Sequence, residues 1–325
     1  PLFHGVTMSE KKIIAVIGAT GAQGGSLARA ILEDTESPFA VRAITRNASS
    51  EKAQALAGLG AEVVEADLDD QSSLEGAFSG AHGAFCVTNF WEHFSPAKEQ
   101  AQVRNLAQAA KSAGVSHVIW STLEDTRKWV PLDDDRMPTL QNEFKVPHFD
   151  GKGASDAFFQ EAGVPTTNLL TSFYWDNLIH FGMGPQRGED GSLAFNLPMG
   201  EKKLPGIAAA DIGRAAYGVF RGGKEFIGKT VGIAGEHLTG AEMADTLSSA
   251  LGEPVHYNAV PFDVYRGLGF DGADDLGNMF QFKHDFEDYF CEARPIEATR
   301  QLNPSLQGFK EWAEANRDRL SIDPA

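Results

Sequence analysis

One turn constrains this chain more than any other feature of its sequence. Residues 12–17, KIIAVI, form an unbroken apolar run of strand length, and GATGAQGG follows at 18–25, ahead of a helical pattern from Ser26 to Glu33. An apolar strand that opens through glycines into a helix begins a βαβ unit. Glycine at 18, 21 and 24 permits a tight turn and lets a diphosphate approach the backbone at the amide-rich, positive end of the helix. The expectation is a dinucleotide-binding turn.

The rest of the first half repeats this alternation. Apolar runs at 40–45, 61–66, 81–88 and 116–122 are separated by helical patterns at 51–59, 72–78 and 97–113. Short apolar strands with helices between them predict an α/β fold, a Rossmann-type doubly wound parallel sheet buried on both faces. At Leu123 the pattern breaks. Residues 123–150 hold three prolines and a DDD run, and are expected to form a long functional or mobile loop. A helix resumes at 151–162 and a strand at 165–173. Beyond them lie short strands, a helix at 211–220, a strand at 229–235 and, from Pro261, mainly helices. Thr239 with Glu242 three residues on is a capping box that opens a helix through Leu251. The expected organisation is a cloning leader or disordered N-terminus at 1–10, a dinucleotide-binding Rossmann-type domain at 11–170, and a smaller mixed α+β lobe at 171–325 integrated with it.

Composition narrows the function classes. Asp plus Glu number 45 against 28 Lys plus Arg, a formal charge of −17, which repels a phosphate backbone and argues against direct nucleic-acid binding. Cys86 and Cys291 stand far apart, which argues against a disulfide framework, and no metal site is expected. No apolar run reaches membrane-spanning length, and PLFHGVTMSEKK lacks the apolar core of a signal peptide. A cytoplasmic location, with the nucleus open to a eukaryotic protein, is the expectation.

Cofactor choice turns on the end of the second strand. A carboxylate there would accept a ribose 2′-hydroxyl, but the sequence reads ITRN, with Arg46 in place of the acid. A guanidinium favours a 2′-phosphate through a charge-assisted fork, so NADP(H) is expected. Asp67 and Leu68, after the third strand, are placed to meet the adenine. Thr88, Asn89 and Phe90, after the fourth, are placed beneath the ribose and nicotinamide.

GATGAQGG, ITRN, VTNFWE at 87–92, HFDGKG at 148–153 and SFYWDN at 172–177 together resemble the NmrA-like atypical short-chain dehydrogenases, in particular the branch of the animal NADPH sensor. DDLGNMFQF at 274–282 extends the likeness almost to the C-terminus. The resemblance implies a Rossmann-type domain, NADP(H) binding and loss of the usual catalytic tyrosine. By position it implies cofactor contacts at Gly18, Thr20, Gly21, Ala22, Gln23, Gly24, Arg46, Asp67, Leu68, Thr88, Asn89, Phe90, Lys152, Tyr174, Trp175, Asp176 and Asn177. Two basic residues of the sensor are replaced here by Ser50 and Ala101, and Lys52 is the cation that can substitute. The family holds two functions. One is a sensor of the NADPH/NADP⁺ ratio that regulates a protein partner through cofactor-ordered loops. The alternative is an NADPH-dependent reductase of a small aromatic, quinone or imine-like substrate using Lys152; under either function the chain is expected to be a monomer or homodimer.

An ordinary short-chain dehydrogenase places tyrosine four residues before a lysine on one helix face. Here the lysine is Lys152, and His148 stands where the tyrosine would be, directly after Pro147 in what reads as a turn. Lys152, His148 and Thr122 are the candidate catalytic residues, with Ser121 beside Thr122 at the end of the fifth strand. Phe90, Trp91, Phe94, Trp120, Trp129, Phe173, Tyr174 and Trp175 gather near this mouth, either as core or as the walls of an apolar substrate pocket.

Overall fold

A computed structural model of the chain describes residues 10–320 and 322, so residues 1–9 of the expected leader lie outside the described residues. The first half alternates as its pattern dictates: β1 (Lys12–Val16), α1 (Ala22–Glu33), β2 (Phe39–Thr45), α2 (Glu51–Gly58), β3 (Glu62–Glu65), α3 (Gln71–Phe78), β4 (Gly83–Cys86), α4 (Pro96–Ser112) and β5 (His117–Thr122). Then come α5 (Pro147–Glu161), β6 (Thr166–Leu170), β7 (Phe173–Tyr174), α6 (Asn177–His180), β8 (Gln186–Arg187), β9 (Leu193–Leu197), β10 (Lys203–Ile207) and α7 (Ala209–Gly222). The remainder is β11 (Thr230–Gly232), β12 (Glu236–Thr239), α8 (Gly240–Leu251), β13 (Val255–Ala259), α9 (Phe262–Arg266), α10 (Ala273–Asp285), α11 (Glu287–Glu292), α12 (Ile296–Leu302) and α13 (Phe309–Asn316).

Seven strands form one sheet in the order β11-β6-β5-β4-β1-β2-β3, every pairing parallel. Both faces are buried, as alternation along β1 shows. Ile14 and Val16 pack with Leu27, Ile31, Ile212 and Phe220 of α1 and α7, whereas Ala15 and Ile17 pack with Phe78, Leu106 and Phe159 of α3, α4 and α5. This is the expected doubly wound Rossmann-type sheet. Chain beyond residue 170 also returns to it: β11 pairs with β6, and α7 lies along α1.

The smaller lobe holds two three-stranded sheets, β12-β10-β7 and β13-β9-β8, packed with α8 and the C-terminal helices around Phe195, Phe280, Phe282, Phe309 and Trp312. The capping box is present, with Thr239 and Glu242 each bonding the other's backbone N–H. Arg294 ties the lobe to the carboxyl end of the sheet. It is fully buried, donates to both oxygens of Glu124 just after β5 (2.7 and 3.0 Å), and gives Nε–H to the carbonyl of Thr171 (2.8 Å).

The long segment after β5 corrects one expectation: α5 starts at Pro147, not at 151. Proline at the first helical position gives up an N–H that has no partner there anyway, and its fixed φ suits the helix. Residues 123–146, expected to be functional or mobile, are tied to α5 and to one another by hydrogen bonds. The buried carboxylate of Asp150 accepts from Thr126 N and Oγ1 (2.8 and 2.6 Å) and from Lys145 N and Val146 N (2.9 and 3.1 Å). Lys145 Nζ, also buried, donates to the carbonyls of Asp134 and Met137 (2.8 and 3.0 Å).

Candidate functional site

The glycine turn is built around two constraints. Gly18 has φ +60°, a left-handed conformation that disfavours a side chain. A Cβ on Gly24 would stand 2.3 Å from Gly18 O, so only glycine lets α1 seat this closely on the end of β1. The N-terminus of α1 has no side-chain cap and no acidic residue in its first turn, so its amides are free of competing anions. A cleft of about 350 Å³ opens beside Thr20, Gly21 and Ala22 and runs along α1 past Arg29 and Glu33 to Lys52 and Arg214. Exposed backbone at a helix start, flanked by cations, fits a dinucleotide diphosphate.

Arg46 is exposed at the end of β2, where the sequence placed it, and forks onto Glu92 through Nη2–Oε1 (2.9 Å) and Nη1–Oε2 (3.2 Å). Ser50, standing for one of the sensor's basic residues, is the N-cap of α2, its hydroxyl accepting from Ala53 N. Asp67 is exposed and accepts from Asp69 N (2.9 Å), while the Leu68 carbonyl accepts from Asn105 Nδ2 (2.8 Å).

At the end of β4, Thr88 joins α4 to α5. Its hydroxyl donates to Glu99 Oε1 (2.5 Å), and Lys152 Nζ donates to Thr88 O, Thr88 Oγ1 and Glu99 Oε1 at 2.9, 2.7 and 2.8 Å. All three ammonium protons of Lys152 are engaged. Glu99 Oε2, buried, has no hydrogen-bond partner among the described residues. Phe90 is buried beneath Trp91 and Phe94, and Asn89 donates to Glu92 (3.3 Å).

His148 is the residue whose setting the sequence misjudged. It lies in the first turn of α5, so His148, Lys152 and Asp156 recur at four-residue intervals on one helix face. Asp275 of α10 meets it twice, accepting from the backbone N–H (3.1 Å) and pairing with Nδ1 (2.5 Å). Both side chains are buried, and the Trp91 ring leans on the imidazole at 4.8 Å between centroids. In the sequence, Asp275 stood only as one residue of DDLGNMFQF, the motif that extends the likeness toward the C-terminus.

Ser121 and Thr122 point to opposite sides of β5. Ser121 Oγ donates to Gln23 Oε1 (2.7 Å), and Gln23 Nε2 donates to the hydroxyl of Tyr174, linking the glycine turn, β5 and β7. Burial pushes the Tyr174 hydroxyl up to about 12. Thr122 instead donates to Asp156 Oδ1 (2.5 Å), which also accepts from Trp120 Nε1 (2.8 Å). In SFYWDN, only Tyr174 joins this network. The Trp175 ring is buried against Phe309 and Trp312 in the lobe core, and Asp176 accepts from Ala209 N at the start of α7 (2.8 Å). Asn177 opens α6. Among the described residues, no three His, Cys, Asp or Glu side chains group as a metal site requires, and no helix is long and apolar enough to cross a membrane.

A seven-stranded parallel sheet covered by helices on both faces, with an open glycine turn after β1 and a cation at the end of β2, defines a Rossmann-type fold. Residues 10–314 match the sequence profile of the NmrA-like family, and the chain belongs to that family. It is 31% identical over 322 residues to the NmrA-like family domain-containing oxidoreductase himF of Aspergillus japonicus, covering 94% of this chain and 92% of that one. The oxidoreductase cpsB of Aspergillus campestris is 29% identical over 297 residues, 85% of this chain and 84% of its own length. Among solved structures, the negative transcriptional regulator NmrA in complex with NADP superposes with TM-score 0.76 at 23% identity, covering 94% of this chain and 95% of that one. Citrobacter sp. triphenylmethane reductase complexed with NADP(H) superposes with TM-score 0.72 at 20% identity, covering 94% and 99%. At such identities these structures share the fold.

Proposed function

We propose that this chain is an NADP(H)-dependent oxidoreductase that reduces a small aromatic, quinone or imine-like substrate, with His148 as proton donor. The observation that carries this reading is the buried Asp275–His148 pair, four residues before Lys152 on α5, in the place of the missing tyrosine. The oxidoreductase relatives and the NADP(H)-bound reductase of like fold support it.

The backbone of Gly18, Thr20, Gly21, Ala22, Gln23 and Gly24 would hold the diphosphate, with Arg46 and Lys52 on the 2′-phosphate side and Asp67 and Leu68 near the adenine. Thr88, Asn89, Phe90 and Lys152 would face the nicotinamide half, with Tyr174 opposite. When bound, NADPH supplies the hydride. Asp275 fixes the imidazole by pairing with Nδ1 and with the His148 backbone N–H, which turns Nε2 toward the role of proton donor to the substrate's oxygen or nitrogen. Lys152 positions Thr88 and offsets the buried charge of Glu99. Trp91 and Phe94, both partly exposed, form an apolar wall for a flat substrate.

Purified protein should oxidise NADPH with at least one quinone, imine or cationic aromatic dye. His148→Gln should remove most of that turnover, together with a pH-dependent limb of the rate. A second reading, a sensor of the NADPH/NADP⁺ ratio acting on a protein partner, draws on the missing tyrosine. Intact NADPH binding without turnover of any substrate, together with altered hydrogen exchange across 123–150 on adding NADPH, would favour the sensor.

A further inference from the structure

Two residues expected to meet the dinucleotide are held by a third that the sequence did not single out. Glu92 takes the fork of Arg46 with both oxygens, and Glu92 Oε1 also accepts from Asn89 Nδ2. In the sheet, β1 lies between β2 and β4, so a bridge from the end of β2 to the segment after β4 passes across the end of β1, where the glycine turn begins. Both partners are reachable, with side chains 65% and 45% exposed. A 2′-phosphate and this carboxylate are anions that compete for the same guanidinium fork.

Glu92 also belongs to the 3₁₀ turn Phe90–Glu92. Two rings of that turn touch the imidazole of His148, Trp91 at 4.8 Å and Phe90 at 6.0 Å between centroids. Trp91 packs so closely on the start of α10 that a Cβ at Gly272 would stand 2.8 Å from its ring. Glu92 thus shares one short turn with the aromatic wall over His148.

We propose that Glu92 is a carboxylate latch that determines 2′-phosphate specificity: it holds Arg46 until a 2′-phosphate displaces it, and that displacement shifts Trp91 against His148. The inference rests on the reading of Arg46 as the 2′-phosphate ligand. It makes Glu92 a brake on NADP(H) affinity and a link from the adenosine end of the cleft to the substrate mouth.

Calorimetry on wild type, Glu92→Gln, Arg46→Ala and the double variant, with NADPH, NADH, adenosine 2′,5′-bisphosphate and adenosine 5′-monophosphate, tests the latch. Exposed ion pairs are weak, so Glu92→Gln should tighten the two 2′-phosphate ligands by only about two- to fivefold, leave the other two unchanged, and have no effect once Arg46 is alanine. Trp91 emission, isolated from the other four tryptophans by subtracting the Trp91→Phe signal, should change with saturating adenosine 2′,5′-bisphosphate and not with the monophosphate. Weaker or unchanged NADPH binding in Glu92→Gln, equal tightening of NADPH and NADH, or equal Trp91 responses to both nucleotides would overturn the latch while leaving the dinucleotide reading intact. Failure of wild type to bind either dinucleotide would remove that reading and the latch with it.

Discussion

Asp156 offers the most quantitative perturbation of the site's scaffold. It lies one turn beyond Lys152 on α5 and takes hydrogen bonds from Thr122 and Trp120 at one oxygen. Burial, aided by Glu124, raises its carboxyl from 3.8 to about 6, outweighing those two bonds and the charge of Lys128. A rise of about two units corresponds to about 3 kcal/mol of preference for the protonated form. The native state then holds a proton that the unfolded chain releases. Stability from this group is present at low pH and is lost as pH rises from about 4 to about 6. Asp156→Asn keeps the acceptor oxygen and removes the ionisation. Urea unfolding of both proteins at pH 4, 5, 6 and 7.5 should show the variant gaining on wild type by up to about 3 kcal/mol across that window. A difference that stays flat with pH would mean that Asp156 is not held protonated in the folded state. NADPH affinity should not change, because Thr122 anchors β5 to α5 and is not spent on the cofactor.

Gly21 has φ −89° and ψ 178°, open to any residue, and a Cβ there would stand 3.2 Å from Gly18 O, so Gly21→Val should abolish NADPH binding in calorimetry while the protein stays folded with a modestly lowered melting temperature. Gly24→Val should unfold the domain instead, because its Cβ would stand 2.3 Å from Gly18 O and 2.7 Å from Ile17 O, and circular dichroism would report the loss. Lys152→Ala should weaken NADPH by more than threefold and lower thermal stability, since it strands the fully buried Glu99; His148→Gln should leave NADPH affinity within about threefold. Arg294→Met should cost about 3–5 kcal/mol in urea unfolding, because it leaves Glu124 charged and unpaired between sheet and lobe.

What the sequence disclosed was local. Strand, glycine turn and helix are contiguous at 12–33, and Arg46 follows its strand directly, so periodicity and turn chemistry sufficed to place the glycine turn after β1 and Arg46 at the end of β2. The capping box at Thr239 was legible for the same reason. Pro147 did carry a helix-start signal, but it was taken for a turn, and that misplaced His148. Asp275 reaches His148 across 127 residues, and Glu92 reaches Arg46 across 46, partnerships that only the sheet order and the packing of α10 create. Trp175 shows the opposite error. An aromatic in a site-like motif looks the same in sequence whether it faces a ligand or fills the lobe core. Strand β11 was visible, but its return to β6 depends on closure over some sixty residues that no local pattern encodes.

The most direct test of the account is paired calorimetry of NADPH and NADH on the wild-type protein and on Arg46→Ala. A charge-assisted contact is worth about 1.5–3 kcal/mol, so NADPH should bind wild type at least about tenfold more tightly than NADH, and the substitution should erase that preference while leaving NADH within about twofold. Equal affinities for the two dinucleotides in the wild type, or a preference that survives loss of the Arg46 guanidinium, would contradict it.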